Sequence, residues 1–430
     1  MQHLLSFLFI VEFCLVLFLF AYQLFEKGLT FKGGISFGLL FFIFIPIWVM
    51  ILTGRIELSV ADFGTTRLGD IFLKDNLPAS FKLFIYIGAI ICFLYFPSGK
   101  EKREGSNSFK IRLGFYFVLY LSITLIVLEA SGILEGGNWY ANRHDFYESS
   151  GSFAVLITFI LNACKVLIIT SLVFKWINKE MGFYRFLILV GAFTFWDMIF
   201  TGNRIFVFCT AIIIAMIFLR KYPKKTIVLI PVLLPIVFFS GYFASIFRHM
   251  RGPLFLNGIP TPEVFYTTLK NAIKLDPPEP VSFFLGISES VNVNVIYSIF
   301  NEYEHYLFGS TYLKTLLFYI PRSVWQEKPE SITVIAGDYF GGPSLVTTII
   351  GEMHMNFSYL GIVLLPLLLW FTERVLKRML PGYHYFGNIL LFFFGILMFR
   401  MPYSDEFLVF VFVVLILFFS KLRFKYTRAS

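Results

Sequence analysis

Charge is what this chain has least of. Asp, Glu, Lys and Arg make up 15% of its 430 residues, against about 25% in a soluble domain, which excludes an ordinary solvated globule. Cysteine is scarce too. Cys14, Cys92, Cys164 and Cys209 all fall inside apolar runs, so a disulfide framework is excluded and the redox compartment is not readable. There is no G-x-x-x-x-G-K-[ST] phosphate loop, no G-x-G-x-x-G and no D-x-D pair, and the six histidines are scattered without H-E-x-x-H spacing. Those absences argue against ATP-driven transport within the chain and against a nucleotide-sugar transferase. They leave no cofactor and no metal to expect. The net charge of +9 does not point to nucleic acid, because the basic residues sit in short clusters between apolar runs, where they act as topology signals.

Hydrocarbon fills the rest: 57% of residues are hydrophobic and 20% aromatic. Repeated apolar runs of around twenty residues are the mark of membrane-spanning helices. Eleven such runs are predicted, at roughly 3–25, 33–53, 81–97, 111–130, 153–174, 186–201, 205–219, 226–244, 357–375, 384–401 and 407–421. The first lacks a basic leader and a small-residue cleavage site, so it reads as a retained span. The expected fold is an all-α polytopic membrane protein. Alternate connections carry the Lys/Arg clusters: Lys27 and Lys32; Lys100 to Arg112; Lys175 to Arg185; Arg220 to Lys225; Arg374 to Arg378; Lys421 to Arg428. These belong on the cytoplasmic side, which puts the N-terminus outside and the C-terminus inside. Within spans, Glu12 and Lys165 stand out as a pair or as one member of a polar cavity, and Asp197 is placed to hold Arg204.

The segment 245–356 is the long exception. It holds nine of the eighteen prolines and separates spans 1–8 (residues 1–244) from spans 9–11 and the tail (residues 357–430). It is expected to be one large periplasmic loop. Its pieces at 263–275 and 310–320 carry apolar residues at helical spacing, as short amphipathic helices lying on the membrane or the bundle, and 289–300 is a third candidate.

Polar constellations gather at the predicted outer face. Thr201-Gly202-Asn203-Arg204 sits between two spans with almost no loop. An arginine there either snorkels to the interface or forms an anion clamp with the free N–H groups of the next helix. The run WYANRHDFYESSGS at 139–152 packs Arg143, His144, Asp145 and Glu148 into a short outer loop, either plainly solvated or in contact with substrate. Arg248 and Arg251 are headgroup anchors or anion ligands. IPRSVWQEKP at 320–329 presents Arg322, Trp325 and Lys328 on a Pro-bounded turn, with surface charge as the plainer reading of Lys328. GPSLVTTIIGEMHMN at 342–356 reads as a segment dipping to the membrane surface. A half-buried Glu352 there would have its pKa raised by desolvation and serve as a general base, with His354 beside it; a structural pairing of Glu352 with a nearby arginine is the alternative. Arg400, Tyr403, Asp405 and Glu406 form the last outer turn.

As a set, TGNR at 201–204, NRHDFYESSG at 142–151, IPRSVWQEKP at 320–329 and PSLVTTIIGE at 343–352, followed by Asn356 and Gly361, resemble the bacterial polysaccharide repeat-unit polymerases of the Wzy type, which include O-antigen and enterobacterial common antigen polymerases. The likeness covers most of residues 130–375; the first four spans match in hydropathy alone. It implies an inner-membrane glycosyltransferase that moves a growing glycan from undecaprenyl-pyrophosphate onto an incoming lipid-linked repeat unit at the outer face. It also implies a role for Arg204, Arg322 and Arg143. The choice of Glu352 or His354 as base comes from the residues themselves. Charge stabilisation on the departing pyrophosphate falls to Arg204, Arg248 and Arg322, with Arg143 and Arg400 behind them. Trp325, Lys328, Asp145, Tyr403 and Asn203 are the candidate sugar contacts. The partners expected are the lipid-linked oligosaccharide, the bilayer, and a chain-length regulator and flippase, with no nucleic acid. A ligase of the same broad class and a non-enzymatic lipid-oligosaccharide flippase are the competing functions; eleven spans without evident halves argue against the flippase.

Overall fold

The computed structural model describes residues 2–53, 77–97, 111–135, 139–201, 205–224, 246, 250, 252–256, 260–274, 290–320, 324–340, 345–380 and 384–421. Among these residues the secondary structure is helical and no strand occurs. Six helical stretches are long and apolar enough to cross a membrane: Leu4–Lys27, Phe31–Leu52, Leu77–Tyr95, Leu113–Ala130, Leu156–Ile177 and Tyr403–Ser420. They fit a multi-pass membrane protein and fall on six of the eleven predicted spans. Of the other five, 226–244 lies outside the described residues. Helices Phe183–Thr201, Ile205–Lys221 and Leu360–Met379 occupy three of the remaining positions. The last, His384–Leu397, has 14 residues, a length of about 21 Å at 1.5 Å per residue, too short for a hydrocarbon core of about 30 Å.

The chain divides into two compact units, one built from Met1–Gly105, Met216–Val228 and Pro278–Phe407, the other from Ser106–Ala215, Leu229–Pro277 and Leu408–Ser430. In the first unit, α1 (Gln2–Tyr22) packs against α2 (Phe31–Leu39) and α4 (Leu77–Tyr95). Thr30 caps α2, its hydroxyl accepting the Gly33 N–H at 3.0 Å. The helix then passes through a π turn at Leu40–Phe44 into α3 (Ile45–Thr53). Pro46 supplies the cause: it has no N–H, and its ring crowds the carbonyl one turn back. In the second unit, α5 (Leu113–Ala130) lies along α6 (Trp139–Ile177), which also contacts α7 (Phe183–Thr201). The helix α8 (Ile205–Lys221) crosses from one unit's residues into the other's.

Two expectations change in the second unit. The run 139–152 is not a loop but the first turns of α6, which has 39 residues. With no proline between Trp139 and Ile177, nothing stops the helix, and at about 58 Å it is nearly twice as long as the membrane is thick. Lys165 does not pair with Glu12. Its ammonium lies 2.8 Å from Asp197 Oδ1, both side chains buried, and Tyr120 donates to the same carboxylate at 2.7 Å. A buried lysine in an apolar bundle requires a counter-charge, and Asp197 provides it.

Helices do form in the long segment at the three expected places: α9 (Pro262–Ile273), α10 (Val291–Glu302) and α11 (Ser310–Leu316). The first begins at Thr261, whose hydroxyl accepts the Val264 N–H, with Pro262 in its first turn. The second is not a surface helix: every residue from Asn292 to Phe300 is buried, and it packs on α4 and α13 (Thr348–Phe357). A further helix, α12, spans Ile332–Phe340. Completing the first unit, α14 (Leu360–Met379) packs on α4, and α15 (His384–Leu397) packs on α2. The helix α16 (Tyr403–Lys421) starts in this unit.

Candidate functional site

The segment expected to dip to a surface is instead an interior helix. In α13, Thr348 through Asn356 are all buried. It is bracketed by Thr348 (φ 56°) and Ser358 (φ 49°), non-glycine residues held in left-handed conformations. Such conformations cost of order 1–3 kcal/mol each and persist where the surroundings impose them. At the C-terminal end, Ser358 N–H bonds His354 O at 2.8 Å, and Tyr86 of α4 donates to Ser358 O at 2.6 Å. These bonds hold the break between α13 and α14.

Residues two apart on a helix point about 200° from each other, so Glu352 and His354 serve opposite faces and do not form a pair. Glu352 is fully buried, not half-buried. Its Oε1 accepts the Thr311 hydroxyl of α11 at 3.1 Å. Its Oε2 accepts the backbone N–H of Ser404 at 3.1 Å, in the first turn of α16, where helix N–H groups have no internal partner and the dipole favours an anion. No arginine pairs with Glu352 among the described residues. Burial pushes its carboxyl up to about 7; the Ser404 bonds oppose the rise, the Asp405 charge adds to it, and the Thr311 bond opposes it. On the same face one turn on, Asn356 Nδ2 donates to Thr311 Oγ1 and to Glu352 O, both at 2.9 Å. Thr315 donates to Thr311 O at 2.9 Å and to Ser404 O at 3.3 Å. Tyr312 stacks on Phe357 and meets Tyr403 at a centroid distance of 5.6 Å. Tyr403 shares a 2.9 Å hydrogen bond with Thr372 of α14. The result is a buried, hydroxyl-rich, carboxylate-bearing cluster between α11, α13, α14 and the first turn of α16.

The opposite face is aromatic. His354 is surrounded edge-on by Tyr86, Phe300, Tyr306 and Tyr359, and Tyr86 Oη lies 3.4 Å from its Nδ1. Burial, and then the Lys82 ammonium, push its pKa down to about 4, so this imidazole is neutral at neutral pH and conjugate to nothing on the Glu352 side. Lys82 donates to Phe300 O and lies 5.6 Å from the centre of the Tyr359 ring.

Arg204, Asn203, Arg248 and Arg322 lie outside the described residues. Arg143 and Asp145 fall in the opening turns of α6. Lys328 is a structural cation: it donates to Phe318 O at 3.0 Å and Ile320 O at 2.7 Å, tying down the end of the turn after α11. Trp325 beside it is half-buried. Arg400 is half-buried in the turn after α15, with its N–H on Leu397 O at 2.7 Å. Asp405 takes a bond from Ser331 and faces Lys314. Thus Glu352 and Tyr403 come together, while His354 lies on the aromatic face and Lys328 on the carbonyls of Phe318 and Ile320. Thr311, Lys82 and Tyr86 were missed. A lysine inside an apolar run was the available signal for Lys82; Thr311 carried none. Among the described residues no three His, Cys, Asp or Glu side chains gather closely enough to hold a metal. Comparison with protein-family profiles, with curated proteins and with solved structures finds no match.

Proposed function

We propose that this chain is an eleven-span inner-membrane glycan polymerase of the Wzy type, with the 245–356 segment outside, and that Glu352 is its general base. The observation that carries the reading is Glu352 itself: a carboxylate inside a membrane protein, oriented by a hydroxyl and a backbone N–H, with burial bringing its pKa to about 7. An acid–base group works best when its pKa lies near the working pH. Thr311, Asn356, Tyr312 and Tyr403 offer hydroxyl and amide groups of the kind that orient a sugar.

In this mechanism the acceptor hydroxyl loses its proton to Glu352 as its oxygen bonds the anomeric carbon of the donor. The bond to the undecaprenyl-pyrophosphate oxygen breaks, and the departing diphosphate takes the electron pair. Arg204, Arg248 and Arg322, with Arg143 and Arg400, stabilise that charge. Glu352→Gln removes the base and is expected to lower turnover about 100- to 10,000-fold. Arg204→Ala and Arg322→Ala are each expected to cost about 100- to 1,000-fold. A reconstituted assay with lipid-linked repeat units checks both: full chain growth in Glu352→Gln overturns the base, and unchanged rates in both arginine variants overturn the clamp. Deletion separates polymerase from ligase, since loss of a polymerase leaves single-repeat caps and loss of a ligase leaves none.

A further inference from the structure

Around α11 the surface turns apolar. Upstream, Glu304 and His305 are exposed, and downstream Gln326 and Glu327 are exposed again. Within 306–320 every exposed residue is aliphatic or aromatic: Tyr306, Phe308, Leu313, Leu316 and Tyr319. Phe308 is 86% exposed and Leu316 64%. The charged Lys314 is half-buried and set toward Asp405. At about 100° per residue, Thr311 and Thr315 share one side of α11 and bond to Glu352 and to Ser404 O. Leu313 and Leu316 share the opposite side. A single exposed leucine needs no explanation, but a run of apolar surface bounded by charge at both ends marks an interaction face.

Depth says what covers that face. The helix α4 is long and apolar enough to cross a membrane, and Tyr86, midway along its 19 residues, donates to Ser358 O. The adjacent Phe357 ring carries α11: Tyr312 stacks on it, and a Cβ on Gly309 would lie 3.0 Å from it. Helical side chains lean toward the N-terminus, so these contacts set α11 level with the N-terminal half of α4, within the crossing length and not beyond its end. From the same junction α14 runs on along α4, exposing Leu360, Val363 and Leu367 at the spacing of a lipid-facing row. The backbone is prepared for lipid too, where each polar group must find a partner within the protein. Leu307 N–H bonds Met355 O at 3.0 Å, and the Lys328 ammonium takes up Phe318 O and Ile320 O beyond the end of α11. Tyr306 and Tyr319, at the two ends of the run, are of the residue type that favours the membrane–water boundary.

We propose that the stretch from Tyr306 to Tyr319 is embedded in the bilayer, with lipid acyl chains covering Phe308, Leu313 and Leu316 while Thr311 and Thr315 hold its other side on Glu352 and α16. On the reading of Glu352 as base and of this segment as outer, on which the use of this face rests, the leaflet is the outer one. The lipid-linked repeat units then reach Glu352 sideways from the bilayer, past α11, with their carrier chains still in lipid.

Nitroxide labels on the full chain in lipid nanodiscs read the surroundings directly. Leu313→Cys and Leu316→Cys are made singly in a background whose Cys14, Cys92, Cys164 and Cys209 are replaced by serine or alanine. Their labels are expected to collide with oxygen more often than with a water-soluble nickel chelate, as at Leu367→Cys, and the order is expected to reverse at Glu304→Cys and Glu327→Cys. Nickel collisions in excess at Leu313 and Leu316 overturn the proposal by placing α11 in water. Labels shielded from both reagents overturn it by making the cover a protein, whether a second copy or a partner. If a cysteine variant fails to fold, the native chain decides, in vesicles of phospholipid bearing a diazirine on its acyl chain. Crosslinks within 306–319 are expected there, and crosslinks confined to other segments overturn the proposal. All these readings are taken without glycan. Oxygen-dominated labels beside unimpaired chain growth in Glu352→Gln would sink the assigned reaction and leave α11 in the bilayer, while nickel-dominated labels beside growth lost in Glu352→Gln would do the reverse.

Discussion

Glu352 and His354 sit two residues apart, and burial moves their acidities in opposite senses. For Glu352 the folded value of about 7 exceeds the ordinary 4.5, so the folded state binds the proton first. Stability therefore grows on acidification from about pH 7 to 4.5, by roughly 3 kcal/mol at 1.36 kcal/mol per unit. For His354 the folded value of about 4 lies below the ordinary 6.5, so protonation favours the unfolded chain. Stability falls on acidification from about 6.5 to 4, by a comparable amount. Between about pH 6.5 and 4.5 the two contributions oppose each other. Glu352→Gln is expected to leave the histidine term alone and make the thermal midpoint drop with acid over that window. His354→Phe, which keeps a ring among Tyr86, Phe300, Tyr306 and Tyr359, is expected to make it rise. Thermal unfolding of the detergent-solubilised protein across pH checks this; parallel curves for the two variants would refute the opposition.

The elements that carry this site depend on close helix crossings. A Cβ on Gly34 would strike the Phe392 carbonyl of α15; on Gly38 it would lie 2.6 Å from the Phe399 ring; on Gly395 it would lie 2.5 Å from Phe31 O and 2.7 Å from Ile35 N. In lipid, where water gives no drive to helix association, small residues that let backbones touch are what hold helices together. Gly34→Ala or Gly395→Ala must therefore push α2 and α15 apart, with an expected loss of about 3 kcal/mol. Gly191→Ala in α7, where nothing lies within 4 Å, is expected to be neutral or to gain up to about 1 kcal/mol from helix propensity. Equal effects at the two kinds of site in a thermal or denaturant assay would contradict the crossing. Periodicity made α9 and α11 legible by their apolar spacing, and 289–300, a further candidate, is α10. It could not show that α10 is buried all round, because spacing reports one apolar face and not what covers the other. Nor could it show that α13 is interior, since its Thr, Gly, Glu, His and Asn are the residues of a surface. Glu352, Tyr403 and Glu406 stood out as polar residues in an apolar chain, while the contacts of Thr311 with Glu352 and of Thr315 with Ser404 join segments about forty and ninety residues apart, beyond the reach of any local pattern.

At the scale of the molecule, the first unit bears on topology. Lys32 is buried with its ammonium on Leu94 O and Phe96 O, at the C-terminal end of α4. A Cβ on Gly28 would meet the Arg220 guanidinium. Glu373 and Lys377 act on Lys32, and Arg220 acts on Tyr385. Four of the basic connections assigned to the cytoplasm are thus drawn toward one end of this unit. Lys82 and Tyr359 belong to the other ends of α4 and α14, and α14, at 20 residues and about 30 Å, separates those ends by about one membrane thickness. If the basic end is cytoplasmic, then Tyr359, 58% exposed, and Val324 in the Pro-bounded turn, 76% exposed, are reachable from outside. Single cysteines introduced at Val324 and Tyr359, in a chain whose Cys14, Cys92, Cys164 and Cys209 are replaced by serine or alanine, are expected to react with an impermeant maleimide on cells whose outer membrane alone is permeabilised. A cysteine at Tyr222, just beyond the end of α8, is expected to react only after the inner membrane is opened. The reverse pattern would place residue 324 in the cytosol, where no lipid-linked repeat unit awaits polymerisation, and would remove the compartment on which the proposed reaction depends.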